Sequence, residues 1–335
     1  MSGHDDQRVM GAMSRRALLS GGAMLTLGSM LAHPSTARAS GTLRFGTIKS
    51  SHQAATWIIP EYVPKGVDVR LVEFKTSLEL ISAQTAGNID IGNIGYWHFV
   101  RLLDQGANVT AVAGVSSGGS RLVARKGVQV KSWADLKGKS CAAARGSTQD
   151  IQFLLSLKNN GLSMKDVNYR DLGGNMAVFI SALQQGQVDV ASMWEPFASQ
   201  VVEQNVADSF STMYDDSFRV NSLLYGDTAY LEKNRDVVQM FVAAHVKATD
   251  RLLKNPDEYL ELGMKLVGFP RETMQLANKN SFPEYVLRMD DARKLATAVF
   301  DLKYTKSDVR PKLDGAFDYR FVTQATGKSA KEMGA

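Results

Sequence analysis

Residues 76–94 read TSLELISAQTAGNIDIGNI, and residues 175–193 read NMAVFISALQQGQVDVASM, the same pattern 99 positions later. Ile81-Ser82-Ala83 returns as Ile180-Ser181-Ala182, Gly87 as Gly186, Asp90 as Asp189 and Ile91 as Val190. Each copy opens on a polar cap, runs through an apolar helical face, stops at a glycine and ends in a short apolar strand. Working outward, residues 67–74 and 166–173 supply a strand before each of these helices. Residues 43–45 and 141–144 supply an earlier one. Between the first two strands Ser50-Ser51 precede a short helix over 52–59, compromised by Pro60. In the second copy Ser147-Thr148-Gln149-Asp150 forms a capping-box pattern before a helix over 151–159, closed by Gly161. The unit is β-α-β-α-β twice over, which predicts mainly parallel sheets with helices on both faces. A period of 99 is too long for a solenoid repeat, so the reading is two α/β lobes.

Beyond Phe218, residues 220–225 give one more strand. The rest reads as helix over 231–253, 256–267, 271–279 and 290–299, with a polar tail after Thr323.

The whole chain has 335 residues, 44% hydrophobic and 22% charged, enough apolar material for a substantial core. The formal charge is +5, but Lys and Arg are interleaved with Asp and Glu, with no run of five or six, so charge alone implies no nucleic-acid partner. Cys141 is the only cysteine, which rules out an internal disulfide and a zinc site of the Cys-pair kind. No metal and no cofactor is expected. The patterns G-x-x-x-x-G-K and H-E-x-x-H do not occur.

Residues 1–39 read as an export signal. Arg15-Arg16 precede a small, apolar run over 17–31, and Ala37-Arg38-Ala39 form a small-x-small cleavage pattern before Ser40. The arginine pair resembles twin-arginine signals, while an ordinary basic region for unfolded export stays open. Fifteen apolar residues fall short of the roughly 20 needed to span a bilayer. The expected product is cut near Ala39 and works outside the cytoplasm.

In open parallel sheets ligands bind beyond the carboxyl ends of the strands, where loops open onto helix N-termini. Two such lobes facing each other would bring the turns at Ser51, Thr76-Ser77, Ser147-Thr148 and Asn175 to one cleft. Unpaired N–H groups there suit an anion.

Four runs carry a family resemblance: residues 130–139 (VKSWADLKGK), residues 144–148 (ARGST), residues 187–190 (QVDV) and residues 194–197 (WEPF). With residues 88–95 (NIDIGNIG) they resemble the periplasmic substrate-binding proteins of ABC importers, in the sulfonate, taurine and nitrate branch. The resemblance covers residues 40 to about 230 and reaches the helical remainder only by general character. It implies a type II periplasmic binding protein, with two α/β lobes joined by a two-segment hinge. Lobe 1 would be 40–118 with 221–335, and lobe 2 would be 119–220, with crossovers near 115–121 and 218–224. It also implies a periplasmic, monomeric protein that closes on one small solute and delivers it to the membrane subunits of an ABC permease. The expected solute is a small organic anion such as an alkanesulfonate or taurine. Nitrate, an aromatic carboxylate or sulfonate, and a pyrimidine stay open.

On the same resemblance Ser51 and His52 correspond to the first ligand loop and Ser147-Thr148 to its second-lobe equivalent. Thr76, Ser77 and Asn175 are both caps and candidate donors. Tyr96-Trp97 follow Gly95 where the family carries small residues or proline, so they would narrow the pocket or stack on a flat ligand; the alternative is a packed helix face. Trp194-Glu195 sit at the matching strand end of lobe 2, where Glu195 would receive an amino group or an inter-lobe partner.

Enzymatic readings fare worse. Residues 114–118 (GVSSG) match G-x-S-x-G, yet turn and strand follow Ser116 where a nucleophile elbow needs a helix, and His245 is the only later histidine. The hydroxymethylpyrimidine synthase relatives share this kind of fold, but their cysteine- and histidine-rich motif is absent.

Overall fold

The structure is a computed structural model that describes residues 42–215 and 217–335. The export signal expected for residues 1–39 lies outside the described residues. Strands β1 (Thr42–Ile48), β2 (Asp68–Phe74), β3 (Ile91–Gly95) and β4 (Val109–Gly118) come first, followed by β5 (Ser120–Arg125), β6 (Ser140–Ala143), β7 (Asn168–Asp171) and β8 (Val190–Trp194). The last three are β9 (Ala207–Ser211), β10 (Val220–Asp227) and β11 (Ser281–Pro283). Among the described residues they form two sheets, in the orders β11-β4-β10-β3-β1-β2 and β7-β6-β8-β5-β9.

The repeat is visible as a parallel trio in each sheet, β2-β1-β3 and β7-β6-β8, with the middle strand first in sequence. Strands that pass between lobes join each trio antiparallel, β10 on β3 and β5 on β8, so both sheets are mixed. The helices Ser77–Thr85 and Met176–Gln184 occupy corresponding positions, and Gly87 and Gly186 end them with φ of 71° and 70°. Asp90 and Asp189 also do the same job. Asp90 Oδ2 accepts from the Arg44 N–H and Asp189 Oδ2 from the Ser140 N–H, at 2.9 and 3.1 Å. In return the N–H of each aspartate donates to the carbonyl of that same partner. This exchange locks the first strand against the third.

The apolar alternation puts Ile91 and Phe45 on one face of the larger sheet, with Phe241 and Val242, and Ile94 on the other, with Phe99 and Leu295. The smaller sheet buries Phe179 and Met193 on one side and Phe153 and Leu157 on the other. Each such side chain removed from water contributes about 1.5–3 kcal/mol.

Departures from the sequence reading have local causes. The helix expected over 52–59 is broken into a 3-10 turn Ser51–Gln53, a single turn Ala54–Trp57 and a second 3-10 turn Ile59–Glu61, because Pro60 has no N–H to continue the ladder. The expected helix over 231–253 is two, Thr228–Lys233 and Arg235–Lys254, divided at Asn234. The segment after Thr323 is not a loose polar tail. Helix Arg320–Thr326 packs against Arg235–Lys254, Met333 is buried, and the Met333 and Gly334 carbonyls accept from the Leu287 and Met289 N–H groups.

The chain passes from one sheet to the other at Gly118-Gly119, with φ of 72° and 80°. A Cβ on Gly118 would lie 2.3 Å from the Asn280 carbonyl oxygen, so this close crossing admits only glycine. The Gly119 N–H donates to the Asn280 carbonyl, and the Asn221 and Asn280 amides donate to the carbonyls of Gly118 and Ser120.

Candidate functional site

A cleft of about 780 Å³ opens where the carboxyl ends of the parallel strands from both sheets face each other. Lobe 1 contributes Lys49 and Ser50 after β1, His52 and Gln53 in the 3-10 turn, Lys75, Thr76 and Ser77 after β2, and Gly95 and His98 after β3. Asn221 of β10 also reaches it. Lobe 2 contributes Thr148 and Gln149 at a helix N-terminus, Gly174, and the run 194–197 after β8. Leu266, Val267 and Phe269 close one side.

The apolar wall is a chain of rings set edge to face: Trp194 against Phe197 at 6.4 Å between centroids, and Phe197 against Phe269 at 5.1 Å. Phe269 reaches this wall from the C-terminal segment, far in sequence from Trp194 and Phe197. Opposite it stand polar atoms without partners. The Oγ of Ser50, the Nδ1 of His52, the Oε1 of Gln53 and the Nδ1 of His98 are buried and unbonded among the described residues. Each unmade bond of this kind costs roughly 1–3 kcal/mol unless a guest or water completes it. Burial pushes the imidazoles of His52 and His98 down to about 4, so both are neutral at pH 7. Lys49 and Lys75 are exposed cations. The carboxylate on the wall is already taken: Glu195 accepts from Arg121 Nε at 2.9 Å, from the Asn280 amide at 3.1 Å and from the Ser199 N–H at 3.0 Å. The balance therefore favours an anion.

Helix ends facing the cleft differ in how far they are already satisfied. Thr76 Oγ1 accepts from the Glu79 N–H, while Glu79 reaches back to the Lys75 N–H. Ser147 Oγ accepts from the Asp150 N–H. Asp150, fully buried, accepts from the Gly146 N–H, from Tyr169 at 2.7 Å and from Tyr304 at 2.6 Å. A negative charge thus already sits on the lobe-2 helix terminus. The helix Tyr96–Asp104 has Gly95 at its cap, no side-chain cap bond and no acid in its first turn.

Of the residues singled out from sequence, His52, Thr76, Ser77, Thr148, Trp194 and Glu195 line the cleft. Ser51 is buried beside them, against Gly263, and is not on the wall. Ser147 and Asn175 act as helix caps behind the wall. Tyr96 and Trp97 require a correction, because both are core residues. Tyr96 packs on Phe317 and its hydroxyl accepts from the Arg288 N–H, and Trp97 packs on Tyr304. The helix begins at Tyr96 itself, which turns positions 96, 97, 99 and 100 inward and position 98 toward the cleft. His98 was therefore missed, although the polar spacing of His98, Arg101 and Gln105 carries the signal. Phe269 and Asn221 had none, since both arrive from distant segments.

The hydrolase pattern has no site. Ser116 is fully buried within β4, its hydroxyl 2.7 Å from that of Ser222, and His245 Nε2 bonds the Gly114 carbonyl.

A family model described as NMT1/THI5 like matches residues 62–259. The fold resembles that of the periplasmic aliphatic sulphonate binding protein SsuA from Escherichia coli, at a TM-score of 0.72 and 22% identity over 82% of this chain and 97% of that one. The alkanesulfonate-binding protein SsuA from Xanthomonas axonopodis pv. citri, bound to MOPS, gives 0.67 and 20% over 83% and 98%. The periplasmic nitrate-binding protein NrtA from Synechocystis PCC 6803 gives 0.68 and 14% over 88% and 91%. With more than half its length matched and its two lobes built in this way, the chain belongs to the NMT1/THI5-like family and has the periplasmic binding protein fold.

Proposed function

We propose that this protein is the solute-binding component of an ABC importer, working in the periplasm as a monomer and doing no chemistry on its cargo. Its solute is a small organic anion of the alkanesulfonate kind, held between a lobe of residues 40–118 with 221–335 and a lobe of residues 119–220. The observation that carries this is the cleft: buried polar atoms without partners and two lysines among its lining, and an apolar ring chain beside them. A solute touching both lobes binds the closed arrangement better and shifts its population. The likeness to sulfonate- and nitrate-binding proteins supports the same class. Its volume and the Trp194-Phe197-Phe269 wall favour an anion with an apolar or flat body over nitrate, which would leave the rings uncovered.

Thermal-shift measurements against taurine, hexanesulfonate, benzenesulfonate, nitrate and uracil test this. A binder at 100 times its Kd stabilises by about 2.7 kcal/mol. Hexanesulfonate or benzenesulfonate is expected to raise Tm most, and Trp194→Ala to cut that affinity about tenfold while leaving the ligand-free Tm nearly unchanged. Hydrolysis of a simple ester, with no shift from any solute, would overturn the reading.

A further inference from the structure

We infer that His98, together with Thr148 from the other lobe and the uncapped first turn of its own helix, grips the anionic head of the solute as an imidazolium. This rests on the solute-binding reading above and names the subsite for the charge. Three observations converge on it. The helix Tyr96–Asp104 is the end described above with no acid in its first turn and no side-chain cap, so its dipole is uncompensated. The Nδ1 of His98 is buried and unpartnered, on a ring that lines the cleft. Gly95 brings the lobes together at this point: a Cβ there would lie 3.3 Å from His98 Nδ1, 3.5 Å from the Asn221 carbonyl and 3.9 Å from Thr148 Oγ1. Any larger residue would fill the space between His98 and lobe 2.

The surroundings keep the ring neutral until an anion arrives. Burial and the Arg101 guanidinium, one turn along the same helix, oppose its protonation. Lys49 and Lys75 face the cleft from the ends of β1 and β2, and no carboxylate opposes them, since Glu195 is held by Arg121. Of the groups that β10 and the lobe-2 helix bring to the cleft, Asn221, Thr148 and Gln149 are uncharged, and Asp150 in the first turn of that helix lies off the cleft wall, held by the Gly146 N–H, Tyr169 and Tyr304. Helix Met289–Asp301, which also packs against His98's helix, carries Asp290, Asp291, Arg293, Lys294 and Asp301. Arg293 and Lys294 pair with acids of their own helix, and Lys158 pairs with Asp301. A bound anion beside the ring then favours the charged imidazole. Capture then takes up a proton, and binding tightens about tenfold as pH falls from 7.5 toward 5.5 when the complex lifts the imidazole from about 4 to about 6.5.

Calorimetric titration with hexanesulfonate and benzenesulfonate at pH 7.5 and 5.5, in buffers of different ionisation enthalpy, tests this. The wild type is expected to bind about tenfold tighter at pH 5.5, with net proton uptake. His98→Gln, which keeps a hydrogen-bonding group but cannot titrate, is expected to bind with a flat pH profile and no uptake. His52→Gln is expected to keep the slope. A slope that survives in His98→Gln, or vanishes in His52→Gln instead, would overturn the assignment to His98 while leaving solute binding intact. A wild type whose affinity does not change with pH overturns it too. Failure of both sulfonates to bind the wild type would overturn this subsite and the sulfonate reading together.

Discussion

Glu195 shows how a residue in a ligand-facing position can be spent on the frame. The run 194–197 suggested an acceptor for a ligand amino group or an inter-lobe partner, and the structure gives it Arg121 of β5, Asn280 beside β11 and the Ser199 N–H. Both partners of the ion pair are nearly inaccessible, with side-chain exposures of 11% and 0%. Removing one leaves an uncompensated buried charge, so Glu195→Ala should lose about 3 kcal/mol in urea denaturation. The paired replacement Arg121→Met with Glu195→Leu should recover most of it. A single variant as stable as the wild type would mean that the pair adds nothing. His98 is the reverse case: a functional position hidden beside two conspicuous aromatics. Sequence showed that something followed Gly95, but the choice among 96, 97 and 98 depends on where the helix starts, and a shift of one residue rotates a side chain by about 100°.

At the level of elements, the trio of strands and the capped helices were legible, because apolar alternation, caps and glycine stops are local signals. The helices at Ser77–Thr85 and Met176–Gln184 follow from them directly. The C-terminal segment was less legible, because its value lies in distant contacts. Nothing in the polar stretch after Thr323 announces that Met333 inserts between helices, or that the Tyr319 hydroxyl donates to the Leu287 and Gly334 carbonyls. Deleting residues 328–335 should therefore destabilise the protein by about 2 kcal/mol, the burial of one methionine, and lower Tm by several degrees. An unchanged melting curve would show that this segment is an ornament.

For the whole molecule, the two-lobed plan could be read from one repeat, whereas the wall of the cleft could not, since Phe269 and Asn221 lie far from the repeated segments. The titration of the entire protein follows from its interior. His52, His98 and His245 are all pushed by burial to about 4, against an unfolded value near 6.5. Between those values the unfolded chain binds more protons, so stability is level above pH 6.5 and is lost as pH falls from 6.5 toward 4. Asp318 acts in the opposite sense. Burial and Glu232 raise it to about 6, so it gains protons on folding as the medium acidifies. The net loss in ligand-free protein between pH 7.5 and 5 should be about 4 kcal/mol by urea denaturation, and a flat profile would contradict it. One consequence of the crossing at Gly118-Gly119 lies in leverage. Asn221 borders the cavity and its amide also holds the Gly118 carbonyl, so a guest that drew on this amide would load the crossing between the two sheets. One asparagine thus answers to the cavity and to the junction at once, and whatever changes its hydrogen bond on one side is felt on the other.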